Sequence, residues 1–487
     1  MDPIEAIYDT EEYRDRIATV DEQGKRVWIY PKKPKGRFTN MRTVLSWVLL
    51  VFLFGMPFVK FNGEPFLLFN VLERKFILFG IVFMPQDFHL FGLAMLTLVV
   101  FIVLFTVVFG RLFCGWVCPQ TIFMEMVFRK IEYWIEGDAA AQRKLKAAPW
   151  TSEKIIKKTA KQVIFFLIAI LVSNTFLAYI IGVDEVIKIA TEPVSQHLGG
   201  FIAMVLFSFA FYFVFSYLRE QVCVAICPYG RLQGVLLDRN SIVITYDHVR
   251  GEPRGKIRKE KKTAGSPVSD IAASVTEAAA EAKPLGDCID CKLCIHVCPT
   301  GIDIRNGTQL ECVNCTACID ACDEVMDKVN RPRGLIRYDS HNGIVEQRRR
   351  IFTPRVIAYT VFLSLLLVLN FAFLSGRTEV ETIILRTPGL MYQKVDELHI
   401  SNLYNYEVIN KTSNDLPVEL RSITEGAEIK LVGKAPIVKA GDVGKGGMFI
   451  IMEKSKTNGR KNSVVIEVIS NGKVVDKVKT NFFAPPK

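Results

Sequence analysis

Eight cysteines between residues 288 and 322 constrain this chain more than any other feature. They repeat the spacing C-x2-C-x2-C-x3-C twice, a pattern that holds two [4Fe–4S] clusters in ferredoxins. In such folds the fourth cysteine of each run binds the cluster of the other run. We therefore predict cluster site I on Cys288, Cys291, Cys294 and Cys322, and cluster site II on Cys312, Cys315, Cys318 and Cys298. One C-x2-C pair alone could bind zinc, but eight cysteines in tandem favour a carrier of single electrons.

The composition favours a membrane protein built from several modules. The chain has 487 residues, half of them hydrophobic, and a mean hydropathy of +0.24, which is high for a soluble protein. A net charge of +11 could attract nucleic acid or a membrane surface. Because the basic residues flank apolar runs, we predict a membrane and no nucleic-acid partner. Iron–sulfur thiolates also require a reducing compartment.

Five apolar stretches are long enough to cross a bilayer as helices. They lie near residues 43–61, 88–110, 162–182, 198–218 and 355–375. A sixth stretch, 65–85, carries Glu73, Arg74 and Lys75 in its middle. Three charges at the centre of a bilayer would cost several kcal/mol. We therefore predict a strand-like or interfacial hairpin outside the membrane for this stretch.

The distribution of Lys and Arg predicts the orientation of these helices. Basic residues are concentrated in the N-terminal tail, 1–42, and in the 111–161 loop, whereas the 183–197 loop has only Lys188. Positively charged loops stay in the cytoplasm, so the N-terminus and the cysteine-rich segment are predicted to be cytoplasmic. Five spans then place the C-terminus outside. No cleavable signal peptide is expected, because residues 1–40 have no apolar core.

Composition also divides the chain into modules. A four-helix membrane region over 43–218 precedes a cytoplasmic segment, 219–286, whose basic and Ala/Glu-rich part (251–286) is predicted to be a flexible linker. The ferredoxin, of the α+β class, is predicted over 287–340 and the fifth helix over 355–375. Alternating apolar and polar residues in 376–487 predict an all-β, immunoglobulin-like sandwich without a disulfide.

The four remaining cysteines form two matched pairs. Cys114 and Cys118 in RLFCGWVCPQ, and Cys223 and Cys227 in EQVCVAICPY, share the pattern C-x3-C-P after the second and the fourth span. A helical i,i+4 spacing would put both sulfurs of a pair on one helix face. Soft thiolates select Cu(I), zinc or iron–sulfur clusters. We predict copper, because an electron donor follows in the chain, while a zinc site, a third cluster and plain apolar packing stay open.

These motifs resemble one family. FCGWVCP, VCVAICP, the double ferredoxin pattern, RPRGLIRYDS and the all-β tail together resemble the cytochrome oxidase accessory proteins of the CcoG, FixG and RdxA type. The resemblance implies a multi-pass bacterial inner-membrane protein that reduces Cu(II) to Cu(I) for the assembly of cbb-type cytochrome oxidase. It implies copper handling by Cys114, Cys118, Cys223 and Cys227, and copper-delivery proteins and oxidase subunits as partners. One departure is Asp323 after Cys322, where Cys298 is followed by Pro299.

Two other functions remain open from the sequence. Membrane ferredoxins that pass electrons from quinol to a periplasmic reductase share the paired C-x3-C-P layout, and a redox-sensing assembly scaffold would need no turnover. His89 and His197, near outer helix ends, could touch haem, copper or quinone, although an interfacial position is the simpler explanation for both. Trp116 is either an interfacial belt residue or an aromatic on the electron path. The electron donor and assembly with further copies of the chain stay open.

Overall fold

The computed structural model contains five long helices that match the five predicted spans. It describes residues 19–20, 23, 25–61, 63–72, 75–256, 285–389, 391–412, 414–433 and 436–485. The five helices are α1 Arg37–Gly55, α2 Phe88–Phe109, α3 Ser152–Ile181, α4 Leu198–Phe213 and α5 Pro354–Ser375. By length and composition each of the five, α1 and α4 with the short turns that continue them, can cross a membrane. The chain is therefore a membrane protein.

Helix α3 begins ten residues before its predicted start near 162. Its first turns are basic rather than apolar, so hydropathy alone could not find them. Lys158 and Lys161 in these turns form ion pairs of 2.9 Å with the buried carboxylate of Glu136. The extra turns are thus stabilised by ion pairs with a neighbouring segment, while the helix satisfies its own backbone hydrogen bonds.

Shorter helices connect these spans and build the sites. The α- and π-helical segments are Leu112–Trp116, Pro119–Thr121, Ile122–Phe128, Arg129–Ile135, Ala139–Ala147, Val183–Thr191, Val214–Leu218, Val222–Ile226, Pro228–Leu236, His248–Gly251, Leu293–His296, Ala317–Lys328 and His341–Val345. Single 3-10 turns are Met56–Phe58, Pro85–Asp87, Ile304–Asn306 and Lys454–Lys456. The chain forms two compact units, made of residues 1–54, 96–176 and 189–365, and of residues 55–95, 177–188 and 366–487.

Aromatic packing holds the helical part of the first unit together. Phe128 is fully buried and stacks on Phe215 with ring centroids 4.6 Å apart, and Phe165 meets it edge-on at 4.8 Å. These rings come from three segments distant in sequence. Their packing joins the segment after the first C-x3-C-P motif to α3 and to the π-helical segment that follows α4.

A buried ion pair fixes the chain just before the second C-x3-C-P motif. Arg219 donates two hydrogen bonds, of 2.9 and 2.6 Å, to the carboxylate of Glu132. Burial alone would raise the pKa of Glu132, but the charges of Arg219 and Lys161 outweigh it and lower that pKa. Arg219 has a positive φ of 54°, a conformation that costs energy for a residue with a side chain. The bidentate pair holds this turn in place.

The iron–sulfur segment is closed by a strand from outside its predicted range. Strands β6 (Val243–Tyr246) and β7 (Ile336–Asp339) pair antiparallel, with Val243 opposite Asp339. The predicted range, 287–340, leaves β6 out. Most of the predicted linker, 257–284, lies outside the described residues. The domain boundaries themselves stay a prediction.

The C-terminal part is an antiparallel sandwich, as the sequence predicts. Its strands are β8 Val380–Arg386, β9 Gln393–Lys394, β10 His399–Asn410, β11 Leu416–Pro417, β12 Glu419–Ser422, β13 Ala427–Val432, β14 Ile437–Val438, β15 Val443–Glu453, β16 Lys461–Ser470 and β17 Lys473–Phe483. One sheet has the order β13-β15-β10-β8 with β9 beside β10, and another has the order β12-β16-β17. Buried residues from both sheets, among them Ile400, Tyr404, Ile466 and Phe482, form one core.

The sixth apolar stretch forms strands, as predicted from its charges. Strands β1 (Lys60–Phe61) and β2 (Glu64–Pro65) make a small hairpin, and β3 (Leu67–Asn70), β4 (Lys75–Leu78) and β5 (Ile81–Phe83) make a three-stranded antiparallel sheet. Its buried face packs on Ile409 of the sandwich. Glu73 and Arg74 lie outside the described residues. The stretch is therefore part of a β-structure and is not a membrane helix.

A buried cluster of charges ties Asp87, which precedes α2, to the sandwich. Its carboxylate accepts hydrogen bonds from Lys411 at 2.6 Å and Arg377 at 2.8 Å. The side chains of Asp87 and Lys411 are only 4% and 3% exposed. Burial acts to raise the pKa of Asp87, but the two cations outweigh it and lower that pKa below its usual 3.8.

Replacing Asp87 with Asn should loosen this attachment. Lys411 would keep its second ion pair, with Glu381 at 2.9 Å, but Arg377 would lose the carboxylate of Asp87. Removing one partner of a buried ion pair costs about 3–5 kcal/mol. We expect faster proteolysis and a lower unfolding temperature of the second unit. In the unaltered protein the same contribution should be present near neutral pH and be lost only as the pH falls below about 4, since the folded-state pKa of Asp87 is lowered.

The matched control is Glu407→Gln, which removes an exposed pair with Lys445. Exposed pairs contribute about 0–1 kcal/mol, so this variant should unfold like the parent. Equal unfolding temperatures for Asp87→Asn and Glu407→Gln would contradict the role assigned to Asp87.

Candidate iron–sulfur and thiol sites

The structure groups the eight ferredoxin cysteines into the two predicted sets of four. Each set lines its own cavity, and both cavities are otherwise walled by mostly apolar side chains. The first cavity is lined by Cys288, Cys291, Cys294 and Cys322. The second is lined by Cys298, Cys312, Cys315 and Cys318, with Cys294 at its edge. Cys322 thus lines the cavity of the first run and Cys298 that of the second, and the assignment of these eight cysteines as cluster ligands stays a prediction.

The two loops reach this arrangement through the same backbone conformation. Asp290 and Lys292 flank the second cysteine of site I with φ of 50° and 57°, and Asn314 and Thr316 flank that of site II with 51° and 64°. Such left-handed conformations are uncommon outside glycine, although Asp and Asn tolerate them best. Strained backbone of this kind is typical of binding sites. In this protein the left-handed residues lie on both sides of the second cysteine of each loop that lines a cavity.

Burial makes these thiols hard to ionise without a bound cation. It raises the pKa of Cys294, Cys312 and Cys322 to about 12 and that of Cys315 to about 11, and it raises the pKa of Cys318 well above its ordinary value. Buried thiols gain from a cation that replaces their protons, because metal ligands bind as thiolates. The donor set, the dry walls and the four-fold grouping all fit a [4Fe–4S] cluster in each cavity.

The two C-x3-C-P pairs are not on continuous helix faces, in contrast to the i,i+4 prediction. Cys114 lies in the helix Leu112–Trp116 and Cys223 in the π-helical turn Val222–Ile226, but Cys118 and Cys227 cap the following helices with extended ψ of 123° and 114°. The reason is the next residue: proline disfavours a helical conformation in the residue before it and suits the first position of a new helix.

The structure nevertheless brings the four cysteines together. Burial raises the pKa of Cys114 to about 11; hydrogen bonding to Gln233 and the charge of Arg111 oppose this, while Cys118 and Cys227 add to it. The pKa of Cys223 rises to about 12 through burial and all three other thiols. We call these four cysteines the thiol group. Gln233, from the helix after the second motif, lies 3.4 Å from the Cys114 sulfur.

The thiol group is not closed around a single ion. In the part of the chain that the structure describes, no three His, Cys, Asp or Glu side chains are arranged to hold one metal ion. The cysteines of the two cluster cavities are also not arranged to hold a single metal ion. This is expected for a cluster site, because a four-iron cube keeps its ligands farther apart than one ion does. Any single ion bound at the thiol group must either use two sulfurs or draw more of them inward.

The thiol group lies directly against the loop of cluster site II. A Cβ at Gly115 would stand 2.3 Å from the carbonyl oxygen of Asn314, so the two backbones touch. Cys223 packs on the apolar cluster that contains Val313 and Cys315. Arg42 of α1 joins both sides, since its Nε donates to Gly115 O at 3.0 Å and its Nη1 to Cys315 O at 2.7 Å.

A second arginine makes the same connection from the other side. Arg111, three residues before Cys114, donates to the carbonyl oxygens of Leu310 and Cys312 beside cluster site II and to that of Gly230 after the second motif. It therefore ties both C-x3-C-P segments to one ferredoxin loop. Hydrogen bonds from a charged donor such as this guanidinium are roughly twice as strong as hydrogen bonds between neutral groups.

An aromatic contact runs alongside these arginines. Trp116 Nε1 donates to the Tyr338 hydroxyl at 2.9 Å, and that hydroxyl donates to Asn314 O at 3.3 Å. Trp116 lies between the first two cysteines of the thiol group and Asn314 lies inside cluster site II. The sequence alone leaves the role of Trp116 undecided; the structure places it in the contact between both sites.

The two histidines do not join any of these sites. His197 Nε2 lies 2.6 Å from Glu192 Oε2, and His89 contacts Phe373 edge-on. Sequence patterns assign no site role to four further residues: Arg42, Arg111, Gln233 and Tyr338. Arg42 carries only a topology signal in the sequence. Arg111 and Tyr338 lie inside the stretches RLFCGWVCPQ and RPRGLIRYDS, but no local pattern predicts their contacts or those of Gln233, because the partners lie about one hundred residues or more away.

Three family models match the chain. A 4Fe-4S dicluster domain matches residues 218–341, a 4Fe-4S binding domain matches 91–139, and the Ig-like fold at the C-terminus of FixG matches 371–485. Together with the five spans, these matches define a membrane-bound iron–sulfur protein of the oxidoreductase class that carries an Ig-like domain.

Relatives give the family. Protein RdxB of Cereibacter sphaeroides is 31% identical over 426 residues, which cover 84% of each chain, and protein RdxA of the same organism is 31% identical over 80% of this chain and 81% of its own. Nitrogen fixation protein FixG of Rhizobium meliloti is 36% identical over 64% of this chain and 57% of its own. The chain belongs to the FixG/RdxA family.

A solved structure of a FixG-related protein from Vibrio parahaemolyticus is also similar to a part of the chain. It aligns with 22% of this chain and 97% of its own length, at 18% identity and a TM-score of 0.18. A score this low says nothing further about the fold.

Replacing Gly115 with Ala should disturb the contact between the thiol group and cluster site II. The added methyl would meet the carbonyl oxygens of Asn314 and Val313, backbone atoms that cannot rotate away. Overpacking of this kind costs about 1–3 kcal/mol. We expect earlier loss of iron–sulfur absorbance on heating and an altered EPR signal from cluster site II.

Gly92→Ala in α2 is the control for this variant, because no atom lies within 4 Å of the position its Cβ would take. It should keep the parent's stability and spectra. If Gly115→Ala also matched the parent, the close approach of the two loops would not exist in solution.

Proposed function

We propose that this protein passes single electrons from its ferredoxin segment to Cu(II) held at the thiol group, producing Cu(I). The observation that carries the proposal is the direct contact of the thiol group with the loop of cluster site II at Gly115 and Asn314. A zinc site or plain apolar packing would not require redox centres beside these four cysteines, whereas a site that accepts electrons requires an electron donor close by.

The chemistry follows from the ligands. Cys288, Cys291, Cys294 and Cys322 would hold the first cluster, and Cys312, Cys315, Cys318 and Cys298 the second. When bound, such clusters supply one electron at a time, which balances Cu(II) to Cu(I). Thiolates prefer Cu(I), and each tenfold preference raises the copper couple by about 59 mV. Binding at Cys114 and Cys223 would release the protons that burial keeps on these thiols.

The arginines and the aromatic pair act as positioning groups in this scheme. Arg42 and Arg111 hold the acceptor segment against the loop of cluster site II, and Trp116 with Tyr338 spans the same gap. By family, we propose that Cu(I) serves cbb-type oxidase assembly, with copper-delivery proteins and oxidase subunits as partners. The donor of the electrons is left open, whether a soluble protein or quinol.

A second candidate is a third iron–sulfur cluster on the thiol group. One observation favours it: the 4Fe-4S binding domain matched at residues 91–139 contains only Cys114 and Cys118 as cysteines. The absence of a closed single-ion arrangement among the described residues agrees with this alternative. In that case the thiol group would be a further electron relay, and the protein would pass its electrons on to a separate reductase.

The variant lacking all four sulfurs of the thiol group (Cys114, Cys118, Cys223 and Cys227 to Ala) separates these candidates. For the copper proposal we expect the iron content and EPR spectrum of the parent, but no stoichiometric Cu(I) when the reduced protein is mixed anaerobically with Cu(II). Cu(I) would be measured with a chromogenic chelator alongside cluster reoxidation. A loss of one cluster's worth of iron would instead identify a third cluster.

Cys291→Ala is the complementary control, since it removes a ligand of cluster site I and leaves the thiol group intact. It should abolish Cu(II) reduction while retaining copper binding. Equal Cu(I) formation by the parent and the four-cysteine variant would reject the thiol group as the copper site.

The proposed topology is tested independently of copper. We propose that the N-terminus and the cluster sites are cytoplasmic and the C-terminal sandwich periplasmic, in a bacterial inner membrane. A protease added to spheroplasts should then degrade the sandwich (376–487) but spare the cysteine-rich segment. Protection of the sandwich in intact spheroplasts, with cleavage after lysis, would reverse the orientation.

A further inference from the structure

One cavity in the described part of the first unit is basic. None of the four cysteines of the thiol group lines it, and it shares one lining residue, Cys315, with the second cluster cavity. It has a volume of about 640 Å³, within the range of small-molecule sites. Its walls come from the segment before α1, the first turns of α1, the helices after the first C-x3-C-P motif and the loop of cluster site II. We call it the basic cavity.

Five cations line the basic cavity against one carboxylate. The cations are Lys33, Lys35, Arg42, Arg129 and Lys130, and the carboxylate is Glu125. Glu125 is already paired with Arg129 at 3.0 Å. Within the described residues, the other four cations form no ion pair with any carboxylate. Lys33 and Lys35 are exposed to solvent, and the charge of Lys35 also acts on Glu324. The cavity wall nevertheless carries more cations than carboxylates.

Lys130 lies close enough to two other cations of the cavity to feel their charges. The pKa of Lys130 is lowered by burial and then by the charges of Lys33 and Arg42. Its ammonium group donates to the Thr43 hydroxyl, at 3.2 Å. Arg42 is buried and uses Nε and Nη1 on backbone carbonyls, so its Nη2 is the nitrogen left for a ligand. Like charges held together in this way favour an anionic partner.

The α1 N-terminus does not account for this site. Its backbone N–H groups at Phe38 and Thr39 already donate to the carboxylate of Asp320, at 3.0 and 2.7 Å. The anion-attracting groups are the side chains. The remaining wall is largely apolar and includes Pro31, Pro34, Val297, Tyr133 and Met126. Such a cavity suits a molecule with an anionic head and an apolar or aromatic body.

We propose that the basic cavity binds the phosphate group of a phosphate-bearing organic ligand. Arginine and lysine together match phosphate, which accepts several charge-assisted hydrogen bonds and carries enough charge to offset several cations. The cavity also reaches Cys315 and Pro299 of cluster site II. A ligand here touches the electron-carrying part of the molecule without occupying the thiol group. The same phosphate chemistry is offered by a soluble phosphate ester and by an anionic phospholipid.

Two probes distinguish these sources on the purified, cluster-loaded full chain. Inorganic pyrophosphate is titrated calorimetrically in detergent, and retention of phosphatidylglycerol over phosphatidylcholine is measured by native mass spectrometry after release from mixed nanodiscs. Binding of pyrophosphate identifies a soluble phosphate site, and retention of phosphatidylglycerol alone identifies a lipid headgroup site. Either result supports the proposal, provided that it depends on the cavity lysines.

That dependence is measured with the double variant Lys33→Gln, Lys130→Gln. We expect its affinity for the bound probe to fall by at least about tenfold, since hydrogen bonds to charged groups contribute on the order of a factor of ten or more. The control is Lys32→Gln, Lys144→Gln, which removes the same charge from exposed lysines outside the cavity wall. Unchanged iron–sulfur absorbance shows that each variant is folded.

Two results would overturn the proposal. One is the absence of binding for both probes. The other is equal weakening in the cavity variant and in its control, which would reveal attraction to the general basic surface. Neither result bears on copper reduction, because the basic cavity and the thiol group are tested with different residues and different probes.

Discussion

The arrangement of the redox sites depends on one close contact between backbones. Residue 115 approaches the carbonyl of Asn314 so closely that only a glycine fits, and Arg42 and Arg111 bind carbonyls on both sides of the contact. The glycine lets the two loops meet, and the arginines keep them there. The packing of Cys223 on Val313 and Cys315 and the hydrogen bond between Trp116 and Tyr338 extend the same contact.

Burial of the cysteine side chains is the second feature on which the redox sites depend. Desolvation raises the pKa of most cysteines in the three groups well above neutrality. A metal or cluster that binds the thiols with raised pKa would replace their protons, because metal ligands bind as thiolates. Folding and cofactor loading are therefore coupled. Residues 288–322 are where this coupling is strongest, since strained loop conformations and buried thiols coincide there.

The sequence predicts the features that are local or periodic. Cysteine spacing predicts which four residues share each cluster cavity, apolar length predicts five helices, and the charges at 73–75 correctly argue against a sixth. Prediction fails where a distant partner or a single proline decides the structure. Helix α3 starts at Ser152 because its lysines meet Glu136. Spacing predicts that Cys114 and Cys118 share a helix face, but the proline after Cys118 starts a new helix.

Arg42 shows the limit of what charge alone can predict. A basic residue at the start of a span predicts orientation equally well whether it is solvated or buried. Only the folded chain shows that this guanidinium is 5% exposed and bound to two backbone carbonyls. Tyr338 and Gln233 are similar cases. Nothing in the sequence around them predicts that Tyr338 contacts the indole of Trp116 or that Gln233 contacts the sulfur of Cys114.

The pairing of β6 with β7 has a consequence for the proposed transfer of electrons to the thiol group. The two strands enclose the cysteine-rich segment in sequence, and β6 follows closely on the helix after the second C-x3-C-P motif. The cysteine-rich segment is thus anchored at both of its ends to the part of the chain that contains the membrane helices, and is not attached through one flexible linker alone. For the proposed function this means that electron transfer would take place within one chain, so its rate would be first order and would not depend on how much protein the membrane holds.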